Sequence, residues 1–170
     1  MLLTSKEFLD ELEYHGVDFF CGVPDLIVGK LVDLVEERGL AYMPATCEDV
    51  AVGVGVGAYL AGKKPCVFMQ NSGFGNASDA FVTLAKLYRI PMVFVISVPD
   101  MPVSAGKEEI TNYAQHLDWK RLILPNLDAL EMPYTLVEKE TYKEEMKKAM
   151  EMCEETKHPV ALIIRKGYMD

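Results

Sequence analysis

The chain is poor in what would tie it to nucleic acid, a membrane or an oxidising compartment. Its 17 Lys and Arg stand against 26 Asp and Glu, a net charge of −9, so the basic footprint that phosphate backbones require is missing. A small anionic substrate stays open, because a site can be locally basic on an acidic protein. No segment approaches the ~20 apolar residues of a membrane span. The opening "MLLTSKEFLDELEYHG" places acids where a signal peptide keeps an apolar run. Cys21, Cys47, Cys66 and Cys153 are scattered with no C-x-x-C pair. Buried thiols in a reducing cytoplasm are therefore expected, with no disulfide and no metal site in the chain. Neither a Ser-His-Asp relay nor a metal cluster can be picked out, and there is no repeat, low-complexity tract or linker. A chain of 170 residues most simply makes one domain.

What is present alternates between helix and strand. "TSKEFLDELEYHG" carries a capping box, Thr4 with Glu7, and a stop at Gly16. "VDFFCGVP" predicts strand one, "LIVGKLVDLVEERG" a helix, "LAYMPA" strand two and "EDVAVGVGVGAYLAG" a helix stopped by Gly62. "PCVFMQ" predicts strand three, "NSGFGN" a loop, "ASDAFVTLAKLYRI" a helix and "PMVFVISV" strand four. After a Pro/Gly-bearing loop come the helix "ITNYAQHLDWKRLIL", strand five "MPYTLV", the helix "TYKEEMKKAMEMCEETK" and strand six "PVALIIRK". Several strands are continuous apolar runs, as a parallel sheet covered on both faces demands. The fold class is α/β: a three-layer α/β/α sandwich with a mostly parallel sheet of about six strands. Ligands of such sheets bind beyond the carboxyl ends of the strands. That directs attention to "GVPD", "ATCED", "QNSGFGN" and "PDMPVSAGK".

Within "ATCEDVAVGVGVGAYLAGKK" the run Gly53-Val-Gly55-Val-Gly57-Ala fits the dinucleotide fingerprint. That fingerprint must follow a strand directly and open a helix, whereas Gly53 stands more than two turns into the next element. As helical residues these glycines cost ~1 kcal/mol each against alanine. Gly53, Gly57 and Ala61, four apart, make a smooth ridge for the approach of another backbone. Thr46 reads as the N-cap with Asp49 at N3, and Glu48 on pattern alone is a first-turn acid. "MQNSGFGNAS" follows a strand and opens a helix, so free N–H groups stand at its mouth. Its glycines serve either close ligand approach or turn geometry. Asp25 reads as a cap for the following helix, His116 as a packed or surface histidine, and Met146, Met150 and Met152 as core.

"FFCGVPD", an acid heading "CEDVAVGVGVGAYLAGKKPCVFMQNSGFGNASDAF", "YRIPMVFVIS" and the pair Gln115-His116 together resemble the pyrimidine-binding (PYR) domain of thiamin diphosphate enzymes. The likeness is to the phosphonopyruvate and sulfopyruvate decarboxylase group. It departs after Gln115-His116, where "LDWKR" replaces an expected nearby glycine. The resemblance implies thiamin diphosphate as cofactor. It implies that Glu48 bonds N1′ of the aminopyrimidine and favours the imino tautomer, which takes the proton from thiazolium C2. Asp25 and His116 would be acid/base or polar groups on the substrate side. Val23, Pro24, Gln70, Asn71, Gly73, Gly75 and Asn76 would line the cofactor. The Gly-Asp-Gly…Asn motif that anchors the diphosphate through Mg²⁺ does not occur in the chain. The resemblance thus implies a β subunit carrying the diphosphate and Mg²⁺ half. It further implies self-association through PYR domains and a small 2-oxo acid substrate. Arg89, Lys107 and Lys120 are candidate anion ligands by loop position, and such groups can equally come from the partner chain. A PYR-type assembly module without chemistry is the other reading.

Overall fold

The computed structural model describes residues 2–99 and 114–170. Among them run α1 (Ser5–Tyr14), β1 (Phe19–Gly22), α2 (Gly29–Glu37), β2 (Ala41–Pro44), α3 (Glu48–Leu60) and β3 (Pro65–Gln70). Then follow α4 (Asn71–Ala80), a π-helical turn (Phe81–Lys86), β4 (Val93–Val98), α5 (Ala114–Ala129), β5 (Tyr134–Leu136), α6 (Tyr142–Thr156) and β6 (Val160–Arg165). The six strands form one sheet in the order β2-β1-β3-β4-β6-β5, and every pairing is parallel.

Alternation along the strands divides the core in two. Phe20, Cys66, Phe68, Val93, Val95 and Leu162 point to the face covered by α1, α2 and α6. Cys21, Val67, Met69, Phe94, Ile96 and Ile163 point to the face covered by α3, α4 and α5. Every residue of β4 is buried, as a central strand with helices on both sides requires. Met146 and Met150 join the first core, but Met152 is exposed on α6. Cys21, Cys66 and Cys153 are buried free thiols, and burial pushes those of Cys21 and Cys153 up to about 12. Cys47 departs from the expectation. It is only half-buried, because it sits at the N-cap of α3.

The boundaries follow local chemistry. Thr4 and Glu7 close the capping box of α1. Gly16, Gly39 and Gly62 end their helices with φ of +84°, +65° and +86°, a region glycine enters without a Cβ penalty. Three expectations are corrected. "NSGFGN" is no loop: Asn71 opens α4 directly after β3. Thr46 is not the cap of α3, which begins at Glu48 with Cys47 at the N-cap and no side-chain cap bond. The helix after "GVPD" starts only at Gly29, because Asp25 Oδ1 holds the Ile27 and Val28 N–H groups in a turn.

The strand order fixes where a ligand can enter. From β1 the chain first steps outward to β2, then returns past β1 to β3, so the order reverses between β1 and β3. That crevice, at the carboxyl ends, is where open parallel sheets bind ligands. Gly22 sits there with φ +146°, and a Cβ on it would lie 2.1 Å from the Phe68 carbonyl oxygen. Only glycine lets the end of β1 lean onto β3, where the Val23 N–H bonds the Phe68 carbonyl at 3.0 Å.

The α1 cap also carries a pH dependence. Lys139 and the Thr4 backbone and hydroxyl donors hold the Glu7 carboxyl at about 2, against 4.5 ordinarily. The folded value lies below the unfolded one. Ionised Glu7 therefore stabilises the fold above pH 4.5, and this contribution is lost as pH falls from 4.5 toward 2. Chemical denaturation across this window should show the wild type above Glu7→Gln in stability at neutral pH. The gap should close toward pH 2. A gap that does not change with pH would contradict the assignment.

Candidate active site

Three strand-to-helix junctions deliver polar side chains to the carboxyl-terminal edge of the sheet. Glu48 comes from the first residue of α3, after β2. Its carboxylate lies against Gly73 in the first turn of α4: a Cβ on Gly73 would stand 2.3 Å from Glu48 Oε1 and 2.6 Å from its Cδ and Cγ. Asn76, one turn further along α4, donates from Nδ2 to Glu48 Oε2 at 3.2 Å. Gly73 thus removes a side chain so that the carboxylate can rest on the helix, and Asn76 orients it. Glu48 is half-buried in the single chain.

Asn71, the first residue of α4, is 1% exposed. Its Oδ1 accepts from the Ser72 N–H at 2.9 Å, while its Nδ2 has no hydrogen-bond partner. A buried amide donor left unpaired carries a desolvation cost, and a ligand acceptor at the mouth of α4 would remove it.

The second cluster gathers around Asp25. Because β1 leans onto β3, Asp25 reaches across the sheet edge. Its Oδ2 accepts from Ser97 Oγ at 2.6 Å and from Gln70 Nε2 at 3.3 Å. Ser72 Oγ donates to Gln70 Oε1 at 2.7 Å. Asp25 does not cap a helix beginning at Leu26: one of its oxygens holds the turn before α2 and the other faces Ser97 and Gln70. Ser72 belongs to the polar run after β3 that the sequence marks, but Ser97 is not singled out in the sequence. Ser97 lies in the apolar run "VFVISV" and only its register position opposite Gln70 reveals it.

Other candidates are placed differently. Val23 is half-buried and tied by its backbone to β3, and Pro24 is exposed beside it. Gly75 seats an aromatic ring: a Cβ there would stand 2.1 Å from Trp119 Cη2 and 2.6 Å from its Cζ2. It is therefore occupied by α5 and not open for close ligand approach. His116 falls in the first turn of α5, and its side chain lies outside the described residues. Lys107 lies outside them altogether. Arg89 precedes β4 and stands at the amino ends of the strands, beside Lys86, Pro133 and His158. The fold does not bring it to the site. Lys120 is half-buried on α5. The α3 glycines lie inside a helix, as expected of a packing role. Gly55 faces Met92 and Val67 in the core, a Cβ added at Gly53 would lie 4.0 Å from Leu84 Cδ1, and one at Gly57 would meet nothing within 4 Å. Among the described residues no three His, Cys, Asp or Glu side chains are grouped to hold a metal ion, and no helix is long and apolar enough to cross a membrane.

The two glycines of α4 make opposite predictions. In Gly73→Ala the new methyl meets the far end of a flexible glutamate, which can swing away. The helix gains up to ~1 kcal/mol of propensity, so stability should change by less than about 1 kcal/mol. In Gly75→Ala the methyl meets a rigid indole, and overpacking of ~1–3 kcal/mol exceeds the gain. Trp119 is the only tryptophan in the chain, so its emission should shift to the red in Gly75→Ala and stay in place in Gly73→Ala. Denaturation curves and fluorescence spectra of the two variants check this. An unshifted emission in Gly75→Ala would contradict the contact.

Comparison with known proteins identifies the family of the chain. The family profile described as thiamine pyrophosphate enzyme, N-terminal TPP binding domain, matches residues 4–120. The sulfopyruvate decarboxylase subunit alpha of Methanococcus maripaludis is 33% identical over 159 residues, covering 91% of this chain and 90% of that protein. Its counterpart in Methanocaldococcus jannaschii is 42% identical over 94 residues, 55% of this chain and 56% of that protein. The phosphonopyruvate decarboxylase of Streptomyces viridochromogenes is 30% identical over 137 residues, and the match spans 80% of this chain but 33% of that longer protein. The chain belongs to the thiamine pyrophosphate enzymes, as their N-terminal cofactor-binding domain, and within that family it stands with the thiamin diphosphate-dependent decarboxylases.

Proposed function

We propose that this chain is the α subunit of a sulfopyruvate decarboxylase, a single PYR-type domain serving coenzyme M biosynthesis. The reaction is 3-sulfopyruvate to sulfoacetaldehyde and CO₂, and the chain acts with a β subunit that carries the diphosphate and Mg²⁺ half. The observation that carries this reading is the Glu48 carboxylate resting in the space left by Gly73, oriented by Asn76. The names of the α-subunit relatives support the substrate and the division into two chains.

The side chains present fit half of the cofactor. A planar ring that both donates and accepts hydrogen bonds would meet Glu48 as charged acceptor and the unpaired Nδ2 of Asn71 as donor. Gln70, Gly73 and Asn76 complete the cradle. A diphosphate calls for cations, and no Lys or Arg takes part in the described hydrogen bonds of this cluster. Its anchor is therefore assigned to the partner. When bound, thiamin diphosphate supplies the electron sink for loss of CO₂ from a 2-oxo acid. The chain's part is to hold one carboxylate, Glu48, at a fixed place where it shares a proton with the ring. Asn76 prevents that carboxylate from rotating. Closing the half-buried site against a second chain would strip water from it and strengthen each of these bonds.

The outer face of α3 is the surface proposed for contact with another chain, self-association included. Gly57 is open there, and Val50 and Leu60 are 45% and 74% exposed. Phosphonopyruvate is the alternative substrate, since its decarboxylases also match the chain.

Reconstitution tests the reading. The chain alone should release no CO₂. With a diphosphate-domain subunit, Mg²⁺ and thiamin diphosphate it should decarboxylate 3-sulfopyruvate faster than phosphonopyruvate. Glu48→Ala should lower that rate by ~100-fold or more. Full activity of the single chain, or an undiminished Glu48→Ala complex, would overturn the assignment.

A further inference from the structure

Asp25 sits in the candidate site, yet its carboxylate is already occupied within the chain. Oδ1 accepts from the Ile27 and Val28 N–H groups at 3.0 and 3.2 Å. Oδ2 accepts from Ser97 Oγ at 2.6 Å and Gln70 Nε2 at 3.3 Å. Four donors match the roughly four lone-pair positions of a carboxylate. A group held in this way is suited to be a fixed anion and poorly suited to carry protons to and from a substrate.

Ser97 is the more buried of the two side-chain donors, with 0% exposure. It is a hydroxyl in a strand otherwise made of Val, Phe and Ile. A buried hydroxyl is costly without a partner, and here the partner is Asp25. The serine stands directly opposite Gln70 in the β3–β4 register. One hydroxyl, one carboxylate and one amide thus meet at the edge of the sheet.

The amide of Gln70 links the two ends of this cluster. A carboxylate can only accept, so it selects the Nε2 end of Gln70. That turns Oε1 toward Ser72, whose Oγ donates to it at 2.7 Å. Gln70 is also the N-cap residue of α4, the helix on which the Glu48 carboxylate rests. We propose that Ser97 is a positioning residue: through Asp25 it fixes the amide of Gln70, and with it the Ser72 hydroxyl, where α4 begins. Asp25 is then the anchor of this chain of bonds and not the acid or base of the reaction. The catalytic consequence rests on the decarboxylase reading above. The geometry does not.

The test uses the full chain. In ¹⁵N spectra the two Nε2 protons of Gln70, assigned by their loss in Gln70→Glu, should be well separated and slow to exchange. Ser97→Ala and Asp25→Asn should each collapse that separation, and the double variant should go no further than either. In the reconstituted decarboxylase, Ser97→Ala should lower kcat by about 10-fold, the scale of one charge-assisted hydrogen bond. KM should hold within roughly 2-fold, since no substrate contact is removed. In an Asp25→Asn background Ser97→Ala should cost nothing more. Unchanged Gln70 resonances in Ser97→Ala, or losses that simply add in the double variant, would overturn the proposal. A wild-type complex that releases no CO₂ from any 2-oxo acid would defeat the decarboxylase reading instead, with the Gln70 resonances still deciding the positioning role.

Discussion

A carboxylate can lie against the backbone of a neighbouring helix only where that helix carries no side chain. This close approach of Glu48 to Gly73 organises the candidate site at the carboxyl-terminal edge of the sheet. It requires α3 and α4 to begin side by side. That in turn requires β1 and β3 to be neighbours, with β2 outside them. Gly22 makes the neighbouring turn possible by letting the end of β1 overlap the line of β3. The polar cluster of Asp25, Gln70 and Ser97 follows from the same geometry, since Asp25 must cross β3 to reach β4.

Much of the fold was legible in the sequence because periodicity and capping are local. The six strands, the α1 capping box and the glycine stops follow from residues within a few positions of one another. The misreadings have a shared cause. "NSGFGN" looks like a turn because two glycines in six residues ordinarily signal one. In the fold each glycine faces a particular partner from elsewhere, Gly73 the Glu48 carboxylate and Gly75 the Trp119 ring. Those partners lie 25 and 44 positions away in the chain, beyond the reach of any local pattern. Ser97 was missed for the same reason, as its meaning appears only across the sheet. Pattern alone left Glu48 a helix-end acid, and likeness to a known family was needed to single it out.

On the proposed reading the site is one half of a larger one, and its composition is consistent with that. It offers carboxylates, amides and hydroxyls, and the described cluster contains no cation. Such a set can orient an uncharged ring and hold a proton, but it would repel a diphosphate and a sulfonated 2-oxo acid alike. On the proposed reading the missing positive charge arrives with the second subunit and its Mg²⁺. The two chains would then divide the task, proton handling on one side and anion handling on the other. The open face around Gly57 offers another backbone room to approach.

The central claim is that Glu48 exchanges a proton with the bound cofactor ring and thereby activates it. The most direct measurement is the rate at which the C2 proton of thiamin diphosphate exchanges with deuterium in the assembled complex. Wild type and Glu48→Gln should be compared at equal cofactor occupancy. The account predicts exchange slowed by ~100-fold or more in Glu48→Gln, the scale of a lost general acid–base contact, with the cofactor still bound. Equal exchange rates in the two proteins would contradict it.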